Sequence, residues 1–208
     1  MDDSKADRKN YVVWVWLAIA LYSLTLCFLK CRLFQAMNMG LRDLAIFDQA
    51  LWHLLNHGQL YSSLVGENIL GEHTSFILYL IAPLYQLYCS PETLVCVQSL
   101  MIGLGALPVY YIAAQAWHSQ RAGLIWALSY LLFPSTGFLN MDGVIFGFHP
   151  DAFLPFFYLS LFLFLTQKRR WLCVLFVLLC LSVKEDAAIT VGAIGLYSLI
   201  KNSRRPRA

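Results

Sequence analysis

"LCLSVKEDAAIT", residues 179–190, places Lys184, Glu185 and Asp186 in the middle of an apolar run that extends from 171 to 200. One straight helix over that run would be about 45 Å long at about 1.5 Å per residue, against a hydrocarbon core of about 30 Å. Its three charges would sit near the midplane, where a Lys or an Asp costs about 2.5–3.5 kcal/mol on insertion. It would also put Lys168, Arg169 and Arg170 on one side of a membrane and Arg204 and Arg205 on the other. Two shorter helices meeting at 184–186 remove all three difficulties. The charges then lie at a turn near one surface, and both basic clusters return to the opposite one. Lys184 closes the first helix and Glu185 and Asp186 open the second, each with the sign that the helix dipole favours.

The composition around this break agrees with a membrane setting. The chain has 208 residues, 59% of them hydrophobic and only 13% charged, which is the profile of a polytopic membrane protein rather than of a soluble domain. A net charge of +3, spread over short loops, gives no reason to expect a nucleic-acid partner. The six cysteines (Cys27, Cys31, Cys89, Cys96, Cys173 and Cys180) lie mostly within apolar runs and show no CxxC spacing. They are expected to act as small hydrophobes, with neither a disulfide framework nor a zinc site.

Spans follow from the requirement for about 20 apolar residues. The stretch 11–29, "YVVWVWLAIALYSLTLCFL", meets it. It is long for the core of a cleaved signal, and "FLKCRLF" offers no small-residue cleavage site, so an uncleaved signal anchor is expected. Further spans are expected at 93–117, at 121–134, at 152–166 and on either side of the 184–186 break. "FILYLIAPLYQLY", 76–88, is shorter and contains Pro83, which suits an interfacial or re-entrant helix. The expected fold class is therefore all-α: a polytopic membrane bundle of about six spans, with interfacial helices in a long outer loop at 30–92. A short cytoplasmic tail at 1–10 precedes the transmembrane module at 11–200, and a second tail at 201–208 follows it.

With the N-terminus inside, 11 of the 15 Lys and Arg residues fall on the inner side, as the positive-inside rule requires of a multi-pass cell-membrane protein. Lys30 and Arg32 oppose that bias. Nine of the 12 acidic residues fall outside. Acidic residues contribute little to orientation, so their gathering on one face calls for a separate account.

The outer connections supply it. In "RDLAIFDQALWHLLNHGQLY", 42–61, Leu44, Phe47, Leu51, Leu54 and Leu55 recur at helical spacing, so an amphipathic helix along the membrane is expected. Asp43 stands at its start and suits an N-cap, a catalytic carboxylate, or both. Asp48 lies one turn further on, on the polar side. "GENILGEHTSF", 66–76, sets Glu72 beside His73. That pair suits either a polar helix entry or a divalent-cation or phosphate site. "NMDGVIFGFHPDAFLP", 140–155, carries Asp142, His149 and Asp151, with Pro150 placed to begin a helix. A plain turn accounts for Glu185 and less well for Lys184, which with Arg42 is suited to holding an anionic group.

The stretches "DLAIFDQALW", "LYSSLVGENILGEHTSFILYLIAPLY", "LGALPVYYIA", "FGFHPDA" and "VKEDAAI", in this order, closely resemble the membrane proteins of domain-of-unknown-function family 2079, from about 42 to 197. That family is similar, more distantly, to the GT-C glycosyltransferases, which include protein mannosyltransferases and aminoarabinose transferases. The resemblance implies transfer of a sugar from a polyprenyl-phosphate donor at the outer face. It implies Asp43 as the catalytic residue; the outer-face residues Arg42, Asp48, His149, Lys184, Glu185 and Asp186 are expected, from their own charge and placement, to bind substrate. The resemblance also implies a divalent metal ion held by Glu72, His73 and Asp151. Both groups are usually longer, so the chain is expected to be a fragment, a truncated product inactive alone, or half of a split protein whose further spans a second chain would supply. Membrane lipid is the other expected partner. A different reading, a non-catalytic membrane subunit or half of a transporter, stays open on sequence alone. A transporter would place ionisable groups near the midplane.

Overall fold

The computed structural model describes residues 3–141 and 147–203, and the described residues are all-α apart from one minimal hairpin. Helix α1, Asp3–Gln35, is a single rod whose stretch Tyr11–Gln35 is long and apolar enough to cross a membrane. It runs past the expected end at Leu29. The reason is packing: Lys30 is wholly buried, and Cys27 of the preceding turn is bonded to Cys96. Exposed Trp14, Leu21, Leu24 and Phe28 cover the opposite side of α1, as a lipid-facing surface requires.

A second segment of sufficient length, Pro91–Ala116, consists of α4, Pro91–Leu104, and α5, Ala106–Ala116. They meet at Gly105, where a side chain would collide with the Tyr130 hydroxyl, which donates to the Ile102 carbonyl at 3.0 Å. Two helices therefore satisfy the length criterion among the described residues, against the expected six spans. The segments Ile77–Leu87, Pro150–Thr166, Arg170–Val183 and Ala187–Lys201 are apolar but shorter.

Between the two long segments lie α2, Arg42–His57, the hairpin pairing Tyr61–Ser62 with Glu67–Asn68, and α3, Ile77–Leu87. The amphipathic α2 is as expected: Leu44, Phe47, Ala50 and Leu51 are buried, and Gly58 in the left-handed conformation ends it. Asp43 is not the N-cap. Leu41 holds that position without a side-chain bond, and Asp43 lies in the first turn, still favoured by the dipole. Helix α6, Gln120–Leu132, is capped by Ser119, whose Oγ accepts from the Ala122 N–H at 3.3 Å. Pro134 then starts a separate helix α7, Pro134–Met141.

The stretch 171–200 is divided as its charges demand. Helix α8, Leu154–Thr166, turns into α9, Arg170–Val183. Lys184 is extended and closes α9, Glu185 and Asp186 form the turn, and α10 is Ala187–Ser203.

Two apolar clusters hold these helices together. One joins α1, α5 and α6 through Val15, Ile19, Ala106, Tyr110, Ala127 and Leu131. The larger one seats α2, α3 and α4 around Phe148 and Phe153, with Cys180, Val183 and Ala187 closing it from α9 and α10. The expectation about cysteines is corrected here. Cys27 and Cys96 form a disulfide between α1 and α4, and the Cys31 thiol lies 3.7 Å from Cys96 Sγ. Residues on two packed helices need no short sequence spacing, which is why the pairing is not visible as a motif.

Candidate active site

Four separate chain segments converge at the N-terminal end of α2. Each is positioned by a local physical cause. Gly147 has φ +90, and a Cβ there would meet the Gly40 carbonyl at 2.7 Å and Leu44 Cβ at 2.5 Å. Only glycine lets the chain before His149 press so closely on α2. Buried Gln98 on α4 then fixes the next step: its Oε1 accepts from the His149 N–H at 3.1 Å. Phe148 anchors the same loop, edge-on to Phe47 at 5.5 Å between ring centroids. Pro150 opens the 3-10 turn Pro150–Phe153, which leads into α8 and carries Asp151 in its first turn.

The 184–186 turn is tied to the segment before α3. Ser75 Oγ donates to the Val183 carbonyl at 3.1 Å. One Glu185 oxygen lies 2.9 Å from His73 Nδ1, and the other accepts from the Thr74 N–H at 3.1 Å. Glu185's own backbone, then His73 and the Thr74 N–H, hold its carboxyl down at about 2, below the ordinary 4.5.

These contacts enclose a cavity of about 410 Å³. Its polar walls are Arg42, Asp43, Glu72, His73, His149, Asp151 and Lys184, over an apolar floor that includes Phe47, Ile69 and Val183. Asp43 Oδ2 lies 3.4 Å from His149 Nε2, and both side chains are about three-quarters covered (25% and 30% exposed). Lys184 Nζ lies 3.8 Å from Asp151 Oδ2. A carboxylate beside an imidazole on one side, and an ammonium and a guanidinium nearby, can take a proton and hold an anion in the same space.

Of the residues singled out by sequence, seven line the cavity and three do not. Glu185 sits behind His73 as its partner. Asp186 is exposed in the turn. Asp48 turns away, and its Oδ1 accepts from the Tyr85 hydroxyl at 2.6 Å. Burial raises the Asp48 carboxyl above its ordinary value despite that bond, with Glu92 adding to the rise. Asp142 lies outside the described residues. Gln98, Ser75 and Thr74 were not singled out. Gln98 had a signal, a lone amide inside an apolar helix. Ser75 and Thr74 had none beyond their proximity to His73.

Glu72, His73 and Asp151 share the cavity but do not form a three-ligand metal centre. His73 faces Glu185 and Asp151 faces Lys184. Among the described residues, only Cys27, Cys31 and Cys96 bring three potential ligand atoms within 4.8 Å of one another.

The chain matches the family described as "Predicted membrane protein (DUF2079)" over residues 33–208. It belongs to that family. No curated protein and no solved structure matches it. Family membership and the apolar helices together identify a membrane protein. The match covers every cavity residue, from Arg42 to Lys184.

Proposed function

We propose that this family member is a GT-C-like glycosyltransferase module of the cell membrane, with its N-terminus cytoplasmic and its cavity on the outer side. It would transfer a sugar from a polyprenyl-phosphate donor to an acceptor hydroxyl. The observation that carries this reading is the meeting of Asp43, His149, Asp151, Lys184 and Arg42, from distant parts of the chain, around one cavity. The resemblance of the surface helix and the acidic connections to those of GT-C enzymes supports it.

The chemistry uses the chain's own groups. Asp43 takes the proton of the acceptor hydroxyl, while His149 at 3.4 Å holds the carboxylate toward the cavity. The hydroxyl oxygen bonds to the anomeric carbon, and the bond from that carbon to the phosphate oxygen breaks. The lipid phosphate departs with the electron pair, and Lys184 and Arg42 neutralise it. No step is assigned to a metal ion, because Glu72, His73 and Asp151 are not arranged as ligands.

Asp43→Asn keeps the shape and removes the base. Transfer from a radiolabelled polyprenyl-phosphate sugar by the purified chain is expected to fall by about 10²–10⁴-fold with unchanged membrane insertion. Full activity in that variant removes Asp43 from the mechanism.

Lys30 favours a second reading, half of a transporter. It is wholly buried in α1, and its Nζ has no hydrogen-bond partner in the described structure. An ionisable group inside a spanning helix is a common feature of transport paths. Lys30→Met separates the readings: a transporter loses flux with it, whereas glycosyl transfer survives.

A further inference from the structure

We propose that the end of the bundle remote from the acidic cavity binds the phosphate-bearing headgroup of an anionic phospholipid. Helices α8, α9 and α10 surround a cavity of about 580 Å³ there. Lys168, Arg170 and Lys201 stand in its lining, above walls formed by Phe162, Leu165 and Tyr197. No carboxylate lines it, and among the described residues none of the three cations has a carboxylate partner. Lys201 Nζ instead sits 5.6 Å above the Tyr197 ring. The 167–170 turn is held by the Lys168 backbone at φ +57 and by its N–H bond to the Leu165 carbonyl at 3.2 Å.

The ligand class follows from this lining. Ammonium and guanidinium groups only donate, so the occupant's polar part must accept and be anionic. The apolar wall below matches an acyl chain, which inorganic phosphate lacks. A choline headgroup would bring its own cation against three others. Basic pockets between helices at an inner membrane surface are suited to anionic lipid heads. If the three cations served orientation alone, they would need no shared cavity with an apolar wall. The inference does not rest on the glycosyl-transfer reading.

The test uses the purified full chain in nanodiscs of equal parts phosphatidylcholine and phosphatidylglycerol, with retained lipid counted by native mass spectrometry. Phosphatidylglycerol is expected to be retained in preference. Lys168→Gln, Arg170→Gln and Lys201→Gln should each lower that preference about fivefold, and the triple variant on the order of a hundredfold. Ser198→Trp, which keeps every charge but fills the cavity, should also abolish it, and it decides the matter if the triple variant fails to insert. Arg121→Gln removes a cation outside this cavity and should change nothing. Equal retention of both lipids, or a preference that survives Ser198→Trp, overturns the proposal. Displacement of the lipid by inorganic phosphate assigns the cations to a free anion and overturns it as well.

Discussion

The two ends of the helical bundle handle charge in opposite ways. At the acidic cavity three pairs form: Asp43 with His149, Asp151 with Lys184, and Glu185 with His73. At the remote end Lys168, Arg170 and Lys201 stand without a carboxylate among the described residues. Paired charges define a geometry, because each side chain is held where its partner is. Unpaired charges define a demand, because their field is left for something from outside. The first arrangement suits positioning of reacting groups and the second suits capture of an anion.

The largest expected effect separates the ends directly. Lys184→Met should lower the proposed sugar transfer by about 10²-fold or more, since it removes one of the two cations assigned to the departing phosphate. Lys201→Met should leave transfer unchanged. Equal losses in a radiolabel-transfer assay would mean that the two ends are not functionally distinct.

Next comes the loop that brings His149 to Asp43. Gly147→Ala places a side chain in a left-handed backbone position and against the Gly40 carbonyl. A loss of about 2 kcal/mol or more in unfolding free energy is expected in mild detergent, from the backbone penalty and the clash together. The same substitution at Gly192, where a Cβ meets nothing within 4 Å, should cost far less. Similar losses at both positions would remove the close approach as the cause.

The smallest effect is acid sensitivity at the paired end. The Glu185 carboxyl titrates at about 2 in the folded chain and at 4.5 without its partners. A depressed carboxyl stabilises above the unfolded value and loses that contribution as pH falls through the folded one. Docking of the 184–186 turn onto His73 and Thr74 should therefore be complete above pH 4.5 and weaken from there toward about 2. Exchange protection of the Thr74 amide, measured across that range, should fall in step. Protection that is flat across it would break the link between Glu185 and the loop.

How much of this was legible beforehand differs from element to element. The break at 184–186 was readable because three consecutive charges carry a local cost that no packing in hydrocarbon relieves. Helix α2 was readable because its apolar residues repeat with the period of a helix. Asp43, Asp151 and Lys184 were readable as candidates because each stands at a helix boundary on the acidic side. Asp48 was misplaced because periodicity gives a face and not a partner. Its face is occupied by Tyr85, and the carboxylate is drawn away from the cavity. The Cys27–Cys96 bond was missed because its two ends belong to different helices.

The amino-acid sequence by itself determined a helical membrane chain, its break at 184–186 and its family, because hydrophobic period and charge cost act over a few neighbouring residues. Only the tertiary structure decided which charges became partners. That choice depends on the rotation and register of packed helices, which bring Asp43 to His149 and Lys184 to Asp151, and which no local pattern encodes.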